Sequence, residues 1–143
     1  MVPIPLAFPC TLNIDDELIF AFGQEMQPET MTLPDSKLHA FFFNQHTFEW
    51  TNVTYSLPCM TSDKYVSNYT CAYLRPLSLV LIDMDDCMPI LNVTSMTWTS
   101  ISSPMEKGHI FNIDENEENV IFIGNDKNES AIYMVSFQLI FCD

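Results

Sequence analysis

Apolar positions in this chain come in short runs, each closed by a polar turn, and two of the runs are nearly continuous. Leu18-Ile19-Phe20-Ala21-Phe22 is followed by Gly23, and Ser78-Leu79-Val80-Leu81-Ile82-Asp83 by an acidic loop. Runs of this length between frequent turns predict strands, and uninterrupted apolar ones predict strands covered on both faces. The predicted strands are 9–13, 18–22, 38–43, 48–54, 69–74, 78–83, two within 88–101, then 109–113, 119–124, 131–136 and Gln138 to Cys142. Gln24 to Lys37 holds two prolines and reads as a loop. The turn signals recur too often for a helix anywhere.

The runs repeat. Leu38 to Phe43, the turn Asn44-Gln45-His46 and a strand bearing Trp50 have a counterpart in Met88 to Ile101, where a polar turn again precedes a tryptophan, Trp98, 48 positions on. Asn119 to Gly124 matches Leu18 to Gly23 in type, 101 positions later. A strand-borne period of this size marks a radially repeated β architecture. Two apolar strands closed by Gly, a third strand, a polar turn, a Trp-bearing fourth strand and an exit through Pro104-Met105 resemble the kelch repeat of β-propellers. The resemblance covers three repeats, 4–54, 58–101 and 104–142, within one all-β unit spanning 1–143. The chain departs from the family pattern in places. The paired glycines are Gly23-Gln24, Met84-Asp85 and Gly124-Asn125, and the third repeat has no Trp.

The resemblance implies an all-β fold of about three four-stranded antiparallel blades, part of a propeller. It also implies glycines that take the strand out of the sheet and tryptophans packed between blades. A β-sandwich is the alternative. An immunoglobulin-type core does not fit, because Cys10 and Trp50 are 40 positions apart. Three blades do not close a ring. The expectation is a chain completed by other polypeptide, with Leu18–Phe22 and Val120–Ile123 on uncovered faces.

Charge and cysteines set the surroundings. A net charge of −14, from 19 acidic and 5 basic residues, excludes a nucleic-acid partner, since phosphate binding needs a basic face. Sequons stand at Asn52, Asn68, Asn92 and Asn128, and five cysteines are scattered without a CxxC. Together these predict an extracellular, N-glycosylated, disulfide-bonded protein. Cys59–Cys71 is expected as a staple between repeats and Cys10–Cys87 as a second pair, with Cys142 odd. Cys10 is expected at the place in repeat one that Cys71 has in repeat two. The start, Val2 to Pro9, has no basic residue and is broken by prolines, so it does not read as a signal peptide. The expectation is an excerpt or processed form of a longer precursor. No apolar run is long enough for a membrane span.

Candidate chemistry is sparse. His39, His46 and His109 share no HxH or HExxH spacing and read as polar edge or turn residues rather than metal ligands. Asp83-Met84-Asp85-Asp86 and Asp114 to Glu118 lack the spacing and glycine of an EF-hand and read as solvated turns. No nucleophile motif or phosphate loop is visible, and no residue matches the copper site of kelch-like oxidases. The reading is a non-enzymatic module without metal or cofactor. It acts in protein binding or extracellular structure, with self-association or the rest of a precursor as partner, and its contacts come from loops such as Gln24–Lys37 and Cys59–Cys71. A fragment of an extracellular oxidase and a subunit of an extracellular polymer are the alternatives.

Overall fold

A computed structural model describes residues 6–25, 38–54, 58, 69–84, 87–102, 107–113, 119–126 and 129–136. They form eleven strands in three antiparallel sheets, so the chain is all-β as expected. The first sheet holds β1 (Leu6–Asn13), β2 (Leu18–Glu25), β3 (Leu38–Asn44) and β4 (Glu49–Asn52), hydrogen-bonded in chain order. The second, also in chain order, holds β5 (Thr70–Leu74), β6 (Leu79–Asp83), β7 (Cys87–Asn92) and β8 (Thr97–Ser102). The third has β10 (Asn119–Asp126) between β9 (Lys107–Ile113) and β11 (Glu129–Ser136). Each sheet is thus an up-and-down meander, and each of the first two has four strands. The predicted twelfth strand, Gln138 to Cys142, lies outside the described residues.

The chain divides into two compact units, Met1–Ser67 and Asn68–Asp143. The first carries one sheet and the second carries two. Helix is limited, among the described residues, to 3₁₀ geometry, as in the turn Arg75–Leu77 between β5 and β6. Pro76 presets its backbone, and Ser78, left-handed at φ 54°, closes it by donating its N–H to the Arg75 carbonyl at 3.1 Å.

Apolar runs became central strands, as their pattern requires. All five residues of β6 are buried, as are Leu38 to Phe42 of β3. Because successive side chains of a strand point to opposite faces, these strands are covered on both. Two expectations fail here. Phe20 and Phe22 are fully buried, so Leu18–Phe22 is not an open face; Phe20 packs on Phe42 at 5.3 Å between ring centres. Nor does glycine end the strands: β2 runs through Gly23 to Glu25 and β10 through Gly124 to Asp126. No described glycine takes a positive φ, so the strand-leaving geometry implied by the kelch resemblance is absent.

The core of the second unit lies between its two sheets. Leu74, Leu79, Leu81, Met88 and Ile90 of the second sheet close on Val120 and Phe122 of β10, with Leu77, Ile101, Ile110 and Val135 at the margin. The Ile110 N–H donates to Thr70 Oγ1 at 3.0 Å, tying β9 to the start of β5. Each large apolar side chain removed from water this way contributes about 1.5–3 kcal/mol. Val120–Ile123 therefore divides by face: Val120 and Phe122 are fully buried, whereas Ile123 is exposed. Replacing Phe122 by Ala is expected to cost about 3–5 kcal/mol, read from the urea midpoint. Ile132→Ala, on the exposed face of the same sheet, should change stability by less than about 0.5 kcal/mol.

Candidate functional site

Two hairpins carry the repeat in atomic detail. At the end of β3 the Asn44 side-chain Oδ1 accepts the N–H groups of His46 (2.9 Å) and Thr47 (3.1 Å), and the Phe48 N–H donates to the Asn44 carbonyl at 2.8 Å. At the end of β7, Asn92 Oδ1 accepts from Thr94 (2.9 Å) and Ser95 (3.2 Å), and Met96 N–H donates to the Asn92 carbonyl at 2.8 Å. Phe48 and Met96 are both left-handed, with φ 58° and 57°. Each hairpin leans on its neighbouring turn through a matching backbone bond, Gln45 N–H to Glu17 O at 2.7 Å and Val93 N–H to Ser78 O at 2.9 Å. Asparagine suits the position because its short side chain can replace the missing backbone partners of a turn. The 48-residue period is therefore a repeated physical unit.

Trp50 and Trp98 occupy equivalent rungs, opposite Phe43 and Leu91. They do not fill a core. β4 is the outer strand of its sheet and all its residues are exposed, so Trp50 keeps 40% of its surface open. Its indole rests on Phe43 (4.6 Å, 35°) and meets Phe41 edge-on (6.3 Å, 86°). Phe48 lies beside Phe43 at 6.3 Å and is 77% exposed. His39, Phe41 and Phe43 alternate along β3 onto this same face, and His39 stacks on Phe41 at 5.9 Å. The result is an aromatic ladder that surfaces at the β4 edge.

The candidate polar residues scatter. His39 is not an edge or turn residue: it is buried in β3, with Nε2 3.1 Å from Glu25 Oε2. Position 39 falls on a central strand, and the neighbouring carboxylate satisfies one ring nitrogen there. His46 sits exposed in its turn and His109 lies on β9. Asp83 is not in a solvated turn either; it ends β6 opposite Thr70 and is buried. Asp85, Asp86 and Asp114 to Glu118 lie outside the described residues. Among the described residues no group of three His, Cys, Asp or Glu side chains is placed to hold a metal ion, and no helix is long and apolar enough to cross a membrane.

Cys10, Cys71 and Cys87 are each disulfide-bonded, but not in the expected pairs: neither Cys59–Cys71 nor Cys10–Cys87 forms, because spacing along the chain does not fix which cysteines meet. Cys59 and Cys142 lie outside the described residues, as do Asn68, Asn128 and nearly all of both expected contact loops. Register corrects one equivalence. Cys71 pairs with Ile82 and Thr11 with Ala21, so with the hairpins aligned Cys71 matches Thr11 and Cys10 matches Thr70. A shift of one residue puts the two cysteines on opposite faces of their sheets. Of the sequon asparagines, Asn52 is exposed at the end of β4, its Oδ1 accepting the Thr54 N–H at 2.8 Å, and Asn92 is half-buried in its turn.

One feature left no isolated signal in the sequence. Ile123 stands opposite Ile132, and Ile121 opposite Met134, so all four share the face of the third sheet turned away from Val120 and Phe122. Ile123, Ile132 and Met134 are 37%, 70% and 67% exposed. The β10 and β11 runs announce apolar strands; which face stays open depends on what packs across from it.

Two measurements test the local readings. Asn44→Ala removes both turn bonds and should cost about 1–2 kcal/mol, whereas Met96→Gly relieves a left-handed side chain and should raise stability by about 0.5–1 kcal/mol, each read from denaturant melts. Without reductant, Cys10, Cys71 and Cys87 should resist alkylation after the protein is denatured, as peptide mapping would show. Comparison with protein-family models and with curated proteins finds no match for this chain.

Proposed function

We propose that the chain is a secreted, N-glycosylated module of kelch-like propeller sheets, working in protein binding or extracellular structure, and covered by other polypeptide. The observation that carries this reading is the outer face of the third sheet. Aliphatic side chains in register across two strands form an apolar surface without a charged residue among Ile121, Ile123, Ile132 and Met134. Contiguous apolar surface of this kind marks an interaction site on a chain carrying charge −14 elsewhere. The junction between the second and third sheets supplies the pattern for its cover: a sheet face of Leu, Met and Ile laid on a face of β10. The covering element is accordingly another sheet of the same construction, and for the isolated chain the source is a second copy. Three disulfide-bonded cysteines and an exposed sequon at Asn52 support an oxidising, secretory setting.

The up-and-down order of the two four-stranded sheets, with matching hairpins 48 residues apart, supports the propeller-blade assignment. Binding in this reading is passive and needs no cofactor. The test is sedimentation velocity of the folded chain over a range of concentrations. The wild type should associate with rising concentration, and Ile132→Lys with Met134→Lys should abolish association while leaving the melting curve in place. A wild type that stays monomeric throughout overturns the covered-face reading.

A further inference from the structure

The sequon at Asn52 differs from the other three in what precedes it. It reads Trp50-Thr51-Asn52-Val53-Thr54, whereas Val66, Ile90 and Asp126 stand two places before Asn68, Asn92 and Asn128. On a strand, residues two apart point to the same face, about 7 Å from one another. Both Trp50 and Asn52 belong to β4, so the indole and the acceptor amide share one face of the outer strand. The indole is held from below by Phe43 and Phe41 yet keeps 40% of its surface open. Meanwhile Asn52 Oδ1 is engaged by the Thr54 N–H at 2.8 Å, which leaves Nδ2, the atom that carries an N-linked sugar, outside that bond.

We infer that the sugar on Asn52 folds back onto Trp50, the first N-acetylglucosamine laying the C–H face of its ring on the indole. The inference rests on the reading of the chain as a secreted glycoprotein. Attachment exchanges one Nδ2–H of Asn52 for an Nδ2–C1 bond to an oligosaccharide donated by a lipid pyrophosphate carrier, which leaves with its pyrophosphate as the proton departs. Once attached, the sugar is tethered within reach of the ring, so stacking costs little further loss of freedom. The face of an aromatic ring is its negative side and attracts the weakly positive C–H bonds of the pyranose. The contact also withdraws apolar ring surface from water. It places a bulky polar group beside the outer strand, where an uncovered edge would otherwise offer itself to foreign strands. The same chemistry is missing at Asn92, where isoleucine takes the aromatic position.

The experiment uses the native glycoprotein, trimmed enzymatically to one N-acetylglucosamine per site. Peptide mapping first establishes sugar on Asn52. The H1, H3 and H5 ring-proton signals of that residue should lie upfield of their positions in a denatured control, because that C–H face sits over an aromatic ring. Full removal of the sugar, or Asn52→Gln, should lower the melting temperature by about 2–4 °C. The same removal in Trp50→Leu should change it far less. If Trp50→Leu does not fold, the ring-proton shifts in the wild type decide. A sugar on Asn52 with unshifted H1, H3 and H5 signals, or with equal melting in its presence and absence, overturns the stacking and leaves the glycoprotein reading standing. A bare Asn52 in protein made by a secretory host overturns both.

Discussion

A β-sheet whose strands are apolar on both sides must be covered twice, and the arrangement of this chain follows from that requirement. β6 has no exposed residue, and its Leu79 and Leu81 face is closed by Val120 and Phe122 of the third sheet. Side chains in this junction interdigitate from two meanders that share no backbone ladder, so shape and apolar area hold it together. One backbone-to-side-chain bond, Ile110 to Thr70, fixes the margin. The outer strands β4 and β8 take up the water-facing work, with every residue of β4 and most of β8 exposed.

The hairpins set where each outer strand begins. Asparagine at the last position of the third strand fastens the turn with two bonds from one oxygen, and the chain then passes through a left-handed residue before pairing resumes. A side chain in that conformation costs about 1–2 kcal/mol, which glycine would avoid. Phe48 and Met96 nevertheless stand there in both sheets, with Phe48 lying beside Phe43. The ring contact and the two Asn bonds offset the backbone cost in the first hairpin. The recurrence of the same turn, the same lean onto the preceding loop and a Trp at the same rung describes one structural unit used twice.

The surface the molecule offers is apolar and aromatic against a strongly acidic background. The Trp50 edge and the Ile132–Met134 face lie on different sheets and have different characters: one is a seated ring next to a sequon, the other a flat aliphatic patch. The ring suits a sugar, because its exposed face is small and its neighbour is an acceptor amide. The aliphatic patch suits another sheet, because it has the same composition as the face already packed on Phe122. A buried His39 beside Glu25 and a buried Asp83 belong to the interior of the sheets and not to a site open to solvent.

Strand positions, turns and the 48-residue repeat were legible from the residues alone, since alternation, Asn turns and Pro exits act between near neighbours. Leu38 to Asn44, Leu79 to Asp83 and Asn119 to Asp126 fall within a few residues of their predicted limits. Glycine was read as a strand terminator, yet ladder bonds to a neighbouring strand outweigh its freedom, and β2 and β10 run on. The equivalence of Cys10 and Cys71 missed by one residue, because register is set by long-range pairing and not by spacing along the chain. The residues alone determined that β2, β6 and β10 are apolar enough to need cover. Only the tertiary structure decided that Phe20 and Phe22 receive it while Ile132 and Met134 do not, because burial belongs to what lies opposite a face, and no local pattern encodes that.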